Sequence, residues 1–187
     1  MSYLVSQLKK GDREAFNELV KEYEKQVINI AFGMLSDRED ALDAAQEVFI
    51  RIYKSIGSFK GQSSLTTWIY RVTANVCNDI LRKRQRTAKT VSIYNSDDED
   101  GRGEEIADTA PTPEENVEMN ERQQAVRDAI AKLNPDFRAV VTLCELQGSS
   151  YEEAAAVLGV PTGTIRSRLS RARSALRKIL SEKRELF

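Results

Sequence analysis

The sequence predicts an all-α protein of two small helical domains joined by an acidic flexible linker, the second domain containing a helix-turn-helix. Apolar residues recur at the spacing of an amphipathic helix through most of the chain. Only four prolines and nine glycines occur in 187 residues, which leaves few turns for a sheet. One central segment is rich in acids and poor in large apolar side chains. We therefore expect domains at 1–90 and 112–187, with the linker at 91–111.

The first domain is predicted to contain three helices. Asp12 is placed to cap the first of them. Ser36, with Glu39 three residues later, predicts a capping box for the second. The spacing of apolar residues assigns Leu42 and Tyr53 to the inner stripe of that second helix. The expected helices run from Asp12 to about Met34, from Ser36 to about Ile56 and, after a loop, from about Leu65 to about Lys89.

The second domain is predicted to begin at Thr112, a capping residue followed by proline at the first helical position. Ser150 and Glu153 form a capping box for a short helix, and Gly159 tolerates the positive φ of the turn that follows. A short helix, a turn with glycine and a second helix are the sequence form of a helix-turn-helix. The expected helices are 112–133, 134–147, 150–158 and one from near 164.

Composition makes an enzyme improbable. Histidine is absent, which removes the commonest general base and the commonest metal ligand, so we expect no catalytic residue, metal or cofactor. Cys77 and Cys144 form no CxxC pair and fit small buried side chains, with a redox role as the alternative. No apolar run is long enough to span a membrane and no signal peptide opens the chain. We therefore expect a cytoplasmic protein.

Charge is distributed unevenly along the chain. The formal net charge is −1, but 95–115 carries nine acids and one base, a charge of −8, which leaves +7 on the remainder. The positive charge concentrates at 82–89 and at 166–184. Two basic patches separated by an acidic connector are typical of a nucleic-acid-binding protein. The acidic run 97–100 belongs either to a masking or channel-filling linker or to a solubilising spacer.

The last long helix has one face suited to DNA. Winding it at 100° per residue places Ile165 and Leu169 on one side and a row of arginines and serines on the other. Arginine can hydrogen-bond guanine edges bidentately, and serine lets the backbone approach phosphates. A solvated basic helix is the alternative. The candidate DNA-binding residues are Arg166, Ser167, Arg168, Ser170, Arg171 and Ser174, with Arg166 and Arg171 expected to read bases. The residues expected to hold phosphates are Arg168, Arg173, Arg177 and Lys178.

The second domain resembles that of a known family. The stretch from Leu133 to Ala172, which includes Leu133-x-Pro135-x-x-Arg138 and Gly163-Thr164-Ile165-Arg166-Ser167-Arg168-Leu169, is similar to the −35-binding domain of extracytoplasmic-function (ECF) sigma factors of bacterial RNA polymerase. The resemblance implies a transcription initiation factor whose second domain reads the −35 element as duplex DNA. It also implies an anti-sigma partner, often held at the membrane.

The second predicted helix carries an acidic face with an apolar centre. Such a face fits either a docking surface for a basic partner helix or an ordinary solvated surface. The string Asp43-Ala44-Ala45-Gln46-Glu47-Val48-Phe49 resembles the sigma-factor helix that binds the clamp helices of the largest subunit of RNA polymerase. The resemblance implies contact with the polymerase core. The face comprises Asp40, Asp43, Gln46, Glu47 and Ile50.

The third predicted helix and the loop before it resemble the −10 recognition and melting region. The motifs are Ser63-Ser64-Leu65-Thr66-Thr67-Trp68 and Asn75-x-x-x-Asp79-x-x-Arg82. Arg71, Asn75, Asp79 and Arg82 share one helical face, a hydrogen-bonding surface suited to an exposed base edge. The resemblance implies that Asn75 captures an unstacked −10 base with Phe59, Ser63 and Ser64 nearby. Trp68 is either a core residue or a melting residue.

Three other functions compete with that of a sigma factor. A free-standing helix-turn-helix regulator would bind duplex DNA tightly without polymerase. A carboxylate-based nuclease would need preorganised acids, but acids cluster densely only in the linker. A polymerase-binding adaptor that never opens promoters would not need Asn75 or the basic run after it. The sigma-factor interpretation accounts for both domains and for their order.

Overall fold

The computed structural model describes the backbone of residues 3–92 and 113–182, and the side chains of 3–87 and 121–182. Most of the predicted linker, including the acidic run 97–100, therefore lies outside the described residues, as do Thr112 and the last five residues. Every regular element within the described ranges is helical. No helix in these ranges is long and apolar enough to cross a membrane.

The first domain contains one helix more than the sequence predicts. The additional helix is short and buries Val5 and Leu8, and the pattern of apolar residues over so few positions gave no clear period. A 3-10 turn at Ile56–Ser58 precedes the predicted loop. The helices are α1 (Tyr3–Lys9), α2 (Arg13–Leu35), α3 (Arg38–Ser55) and α4 (Leu65–Ser92).

The prediction of Asp12 as an N-cap is confirmed, whereas the capping box at Ser36 and Glu39 is wrong. The Asp12 carboxylate accepts from two backbone amides of the first turn of α2. Ser36 lies in the left-handed region with φ of 59°, where it ends α2. Because an N-cap needs an extended backbone, Ser36 cannot also start the next helix. Asp37 has that conformation and accepts from the Asp40 amide at 2.8 Å, so it caps α3.

The second domain has the predicted helix-turn-helix. Ser150 and Glu153 form the predicted capping box, and Gly159 ends the first helix of the motif with φ of 67°. The helix that follows begins at Thr162, two residues earlier than expected. A π-helical turn at Thr142–Leu146 ends the helix that begins at Pro135. The helices are α5 (Pro113–Ala131), α6 (Pro135–Val141), α7 (Tyr151–Leu158) and α8 (Thr162–Glu182).

The two domains pack against each other. In the first domain α2, α3 and α4 enclose a core that includes Leu19, Ile30 and Ile69, all fully buried. In the second, α6 and α7 pack on α8. Helix α7 also lies against α4, and α6 with the π-helical turn lies against α2. The described apolar cores of the two domains are therefore continuous.

Candidate nucleic-acid interface

Helix α8 exposes the face that the sequence assigns to DNA. Ile165, Leu169 and Ala172 are at most 1% exposed and attach the helix to α6 and α7. The opposite side faces solvent and carries no carboxylate before Glu182 at the end of the helix. Arg166 and Arg171 form no ion pair among the described residues, so their guanidinium groups are available to an anion. The exposed residues of this face are Arg166, Ser167, Ser170, Arg171 and Ser174.

Two arginines beside this face are engaged within the domain. Arg168 is only 26% exposed, and its Nη2 donates to Asp136 Oδ2 at 2.7 Å. Arg173 donates from Nε to Glu145 Oε1 at 3.1 Å, and this hydrogen bond raises the pKa of its guanidinium. Both carboxylates belong to the segment before the helix-turn-helix. The structure thus distinguishes Arg166 and Arg171 from two arginines that already have an acidic partner.

Helix α4 presents the second group of predicted DNA-binding residues. Asn75, Asp79 and Arg82 are exposed along one face, as the helical spacing predicts. Asp79 Oδ2 accepts from Arg51 Nη1 at 2.9 Å, and Asp79 Oδ1 lies 3.8 Å from Arg82 Nη1. Arg71 Nε donates to the backbone carbonyl of Ala156 in α7 at 2.9 Å. The face therefore exists as predicted, but α7 binds one end of it.

The loop before α4 has two of its predicted residues in structural roles. Ser64 Oγ accepts from the Thr67 amide at 3.0 Å, which caps α4. Trp68 is half-buried, and its ring lies 5.4 Å from that of Phe59, which is 6% exposed. Ser63 is half-buried and its hydroxyl donates to the carbonyl of Ser64 at 3.3 Å. Trp68 thus holds the loop to the core and stays partly exposed.

Helix α3 exposes the predicted docking face, and two further apolar side chains of the helix are exposed as well. Asp43, Gln46 and Ile50 are exposed and Glu47 is half-exposed, whereas Asp40 is partly buried and forms an ion pair with Arg84. The assignment of Leu42 and Tyr53 to the inner stripe is wrong, because they are 42% and 51% exposed. The smaller side chains of α3 fill the inner positions instead. An acidic face that also exposes several large apolar side chains is suited to binding another protein.

Comparison with known families assigns both domains to one family. The fold and its exposed faces define a two-domain helix-turn-helix protein of the DNA-binding transcription class. The family described as "Sigma-70 region 2" matches residues 19–87, and "Sigma-70, region 4" matches 123–176. The chain belongs to the sigma-70 family, in its ECF group. The family consists of transcription initiation factors that bind RNA polymerase and promoter DNA and are not enzymes.

Relatives match nearly the whole chain. The chain is 35% identical over 177 residues to the RNA polymerase sigma-H factor of Pseudomonas aeruginosa, covering 95% of this chain and 92% of that protein. It is 37% identical over 174 residues to the ECF RNA polymerase sigma-E factor of Haemophilus influenzae, covering 92% and 91% respectively.

Solved structures share the fold. The sigma factor RpoE in complex with the anti-sigma factor NepR from Bartonella quintana superposes with a TM-score of 0.71 at 25% identity, covering 89% of this chain and 96% of that one. CnrH in complex with the cytosolic domain of CnrY has a TM-score of 0.66 at 22% identity, with 96% of each chain covered, and shares the fold.

Proposed function

We propose that this sigma factor divides promoter recognition between its domains, with α8 reading the −35 element and α4 reading and opening the −10 element while α3 binds the polymerase core. The observation that carries the proposal is the pair of exposed polar faces on α8 and α4, which lie in separate domains that match separate sigma-70 regions. Domain limits of 1–90 and 112–187, with a linker between them, accord with this division.

The −35 step is assigned to the arginines of α8 that form no ion pair within the described part of the chain. A helix of this kind enters the major groove of duplex DNA, where each base pair has a distinct edge. Arg166 and Arg171 are exposed on the outer face of α8, so we assign them to base edges. Ser167, Ser170 and Ser174 let the helix backbone approach phosphates. Arg168 lies at the edge of this face. We assign it to a DNA phosphate, which would replace Asp136 as its hydrogen-bond acceptor.

The −10 step is assigned to α4 and its preceding loop. Opening a promoter requires a surface that holds an unstacked base, and an amide can satisfy the hydrogen-bonding edge of that base. Asn75 is exposed midway along the face, with Arg71 before it and Asp79 and Arg82 after it. Ser63, Ser64 and Trp68 lie at the start of the helix, where the strand would enter.

Helix α3 is assigned to the polymerase. Its residues Asp40, Asp43, Gln46, Glu47 and Ile50 combine negative charge with exposed apolar surface, which complements a basic partner helix. The clamp helices of the largest subunit are the partner that the family resemblance supplies. An anti-sigma protein that covers the same surfaces, including one held at a membrane, would keep the chain inactive in the cytoplasm.

The alternative of a free-standing regulator is not favoured. Such a protein needs only the helix-turn-helix, whereas the first domain here matches a sigma-70 region over 19–87. A regulator also gives no reason for an exposed acidic and apolar face on α3. The sigma-factor function accounts for that face and for Asn75 together.

Transcription in vitro from a library of promoter sequences tests the proposal. Core RNA polymerase is used with and without the purified protein. Protein-dependent initiation at sites that share −35 and −10 elements is the expected result. The proposal is wrong if no transcript appears and the protein alone binds duplex DNA tightly.

Single substitutions then test each assignment. We expect Arg171→Ala to reduce selection of the −35 element, Asn75→Ala to reduce promoter opening, and Asp43→Ala to weaken polymerase binding. Arg127→Ala and Glu18→Ala are matched controls, because both residues are exposed and lie outside the assigned surfaces. Equal effects in a substitution and its control would refute that assignment.

A further inference from the structure

Two hydrogen-bonded ion pairs join α8 to acidic residues that precede the helix-turn-helix. Arg168 donates from Nη2 to Asp136 Oδ2 at 2.7 Å. Arg173 donates from both Nε and Nη2 to Glu145 Oε1, and the Nε bond is 3.1 Å long. Asp136 lies in the first turn of α6, and Glu145 lies in the π-helical turn that follows α6. Both carboxylates therefore reach α8 from outside the helix-turn-helix.

The two pairs lie on opposite margins of the exposed face of α8. Ile165, Leu169 and Ala172 mark the buried side of the helix. At 100° per residue, Arg168 lies about 70° to one side of the centre of that buried stripe, and Arg173 lies about 70° to the other side. The exposed face extends between these two arginines. Each ion pair therefore borders the face from a different side.

A helix in the major groove has a phosphate strand on each side. The groove of B-DNA is about 12 Å wide and an α-helix with its side chains is about 10–12 Å across, so the helix fills the groove. Side chains at the centre of the inserted face then meet base edges, and side chains at its margins meet phosphates. Arg168 and Arg173 would face opposite phosphate strands. Asp136 and Glu145 thus occupy the hydrogen-bonding positions that those phosphates would take.

A carboxylate and a phosphate compete for the same guanidinium hydrogens. Both are anionic oxygen acceptors that match the fork of an arginine. A phosphate must displace the carboxylate or approach against its charge, and each pair cancels one positive charge at the margin. Because duplex affinity rises with the number of phosphates that a protein neutralises, both pairs lower it. Exchange is feasible, since the side chains of Asp136 and Arg173 are 66% and 56% exposed.

We propose that Asp136 and Glu145 limit DNA affinity: each replaces a DNA phosphate on an arginine of α8 and so weakens binding to duplex DNA of any sequence. Base reading by Arg166 and Arg171 is unaffected, because neither pair involves the centre of the exposed face. The inference rests on the proposed function, which places α8 in the major groove. Its consequence is weaker binding of the polymerase to non-promoter DNA, which presents the same phosphates as a promoter.

Holding α6 against α8 is the other role that such pairs can have, and it predicts the opposite result. If the pairs only keep α8 in its reading position, their loss should weaken DNA binding. If the carboxylates replace phosphates, their loss should strengthen it. The sign of the change in affinity after neutralisation therefore separates the two roles.

Asp136→Asn and Glu145→Gln each remove one charge and keep the shape of the side chain. The full-length chain is titrated onto a fluorescent duplex of randomised sequence, and anisotropy gives the affinity between about 50 and 200 mM salt. We expect each substitution to raise the affinity and to steepen the slope of log affinity against log salt by about 0.9, the value of one phosphate contact. The gain over the unaltered chain should then be about 3.5-fold larger at the lower salt than at the higher. An unchanged or lower affinity, including no measurable binding, would overturn the proposal.

Glu18→Gln is the matched control for net charge. It removes one exposed carboxylate from α2, outside the surfaces assigned to DNA and polymerase. We expect the affinity and the salt slope of this variant to equal those of the unaltered chain. A gain equal to that of Asp136→Asn would assign the effect to overall charge and overturn the proposal.

Removal of the arginine tests the pairing itself. Asp136→Asn combined with Arg168→Ala should bind no more tightly than Arg168→Ala alone, because no guanidinium is left to release. Glu145→Gln combined with Arg173→Ala gives the same comparison at the other margin. We expect the urea unfolding midpoint to stay nearly unchanged on neutralisation, because partly exposed pairs stabilise a fold little. A gain that persists without the arginine would make the carboxylate a general repulsive charge and overturn the proposal.

Base preference separates this inference from the proposed function. Polymerase carrying each variant is bound to the selected −35 duplex and to base-substituted duplexes. We expect the affinity for all of them to rise and the preference among them to stay the same, since Arg166 and Arg171 are intact. A changed preference would make Asp136 or Glu145 a base-reading residue and overturn the proposal. Failure of the proposed function is distinguished by the unaltered chain supporting no transcription, whatever the salt dependence of its variants.

Discussion

Arg51 connects α3 to α4 by hydrogen-bonding Asp79, with Nη1 and Oδ2 2.9 Å apart. Its Nε also donates to Glu47 Oε1 at 2.7 Å, and the two bonds raise the pKa of the guanidinium. Glu47 lies on the face assigned to the polymerase, and Asp79 on the face assigned to the −10 element. One side chain therefore links the two proposed surfaces. Because all three residues are substantially exposed, the pairs should stabilise the fold little.

Arg51→Ala separates stability from function at this link. We expect the free energy of unfolding to change by less than about 1 kcal/mol, because exposed ion pairs contribute little. We expect transcription to fall severalfold, because Asp79 loses the donor that orients it. Arg51→Lys should be intermediate, since lysine lacks the forked geometry needed for both carboxylates. Urea unfolding and transcription in vitro measure the two effects; a large loss of stability with normal transcription would contradict this role.

The two cysteines should differ in reactivity. Burial raises the pKa of the Cys77 thiol from 9.0 to about 12 and also raises the pKa of half-buried Cys144. Because the thiolate is the reactive form, we expect a thiol reagent at pH 8 to modify Cys144 first and Cys77 only after unfolding. Mass spectrometry of the labelled chain checks this order. Rapid labelling of Cys77 in the folded chain would restore the redox alternative.

The same shift predicts how stability depends on pH. An unfolded Cys77 thiol loses its proton near pH 9, whereas the folded thiol keeps it until about pH 12. The folded state therefore binds more protons in this window, and stability should fall as pH rises through it. Urea unfolding at pH 8 and pH 10 measures the change. Cys77→Ala should remove this part of the slope, and an unchanged slope in that variant would assign it to other groups.

The capping box of α7 should be worth a measurable share of stability. Ser150 Oγ accepts from the Glu153 amide at 3.1 Å, and Glu153 Oε2 accepts from the Ser150 amide at 2.9 Å. We expect Ser150→Ala to lower the free energy of unfolding by about 1 kcal/mol, the usual value of an N-cap. Ser149→Ala is the matched control, because Ser149 contributes only its backbone amide. A similar loss in both variants would exclude the cap as the cause.

The helices were predictable because their signals are local. Asp12, Ser150 and Glu153 are short-range capping signals, and the periodicity of α8 identifies its buried side without knowledge of the rest of the fold. The N-cap of α3 was wrongly predicted because Ser36 instead ends α2. That role depends on the left-handed backbone of Ser36, which the sequence does not show. Likewise, the spacing of apolar residues within α3 could not show that Leu42 and Tyr53 are exposed. Their exposure depends on which other helices cover α3.

The relation between the domains was not predictable from the sequence. In the sequence Gly33 looks like any other glycine within a helix. Only the structure shows that a Cβ at this position would collide with the side chain of Thr142. Arg71 has the helical position of a DNA-binding residue, but its bond to Ala156 joins positions 85 residues apart. Contacts of this kind depend on how two finished surfaces fit, and a one-dimensional pattern contains no such information.

Arg171 and Arg173 should differ in their effects on −35 recognition. Arg171 is exposed on the outer face of α8 without an ion pair in the described part of the chain, whereas Arg173 donates to Glu145. We expect Arg171→Ala to weaken binding to the selected −35 duplex by about 1–3 kcal/mol and to relax base preference. Arg173→Ala should have the smaller effect. The measurement is the affinity of polymerase carrying each variant for the matched duplex and for base-substituted duplexes. Equal losses of affinity in the two variants would contradict this order.

Trp68 should contribute to promoter opening as well as to packing. Its ring packs on Phe59 with centroids 5.4 Å apart, yet the side chain is only half-buried. Trp68→Phe keeps an aromatic ring on Phe59, so we expect the free energy of unfolding to fall by less than the roughly 3–5 kcal/mol that truncation to alanine costs. It also shortens the half-buried ring at the start of α4, where the separated strand would enter. We therefore expect slower open-complex formation with unchanged duplex binding.

Permanganate footprinting of the −10 region measures how fast the Trp68→Phe variant opens the promoter. A gel-shift assay measures its binding to duplex DNA. A template with an already mismatched −10 region is the decisive control, because it removes the need to melt base pairs. If Trp68 acts in melting, that template should restore transcription by Trp68→Phe to the level of the unaltered chain. A defect that persists on the mismatched template would place Trp68 in strand binding instead. No defect on either template would leave it a core residue, because packing on Phe59 is then the contribution that the substitution preserves.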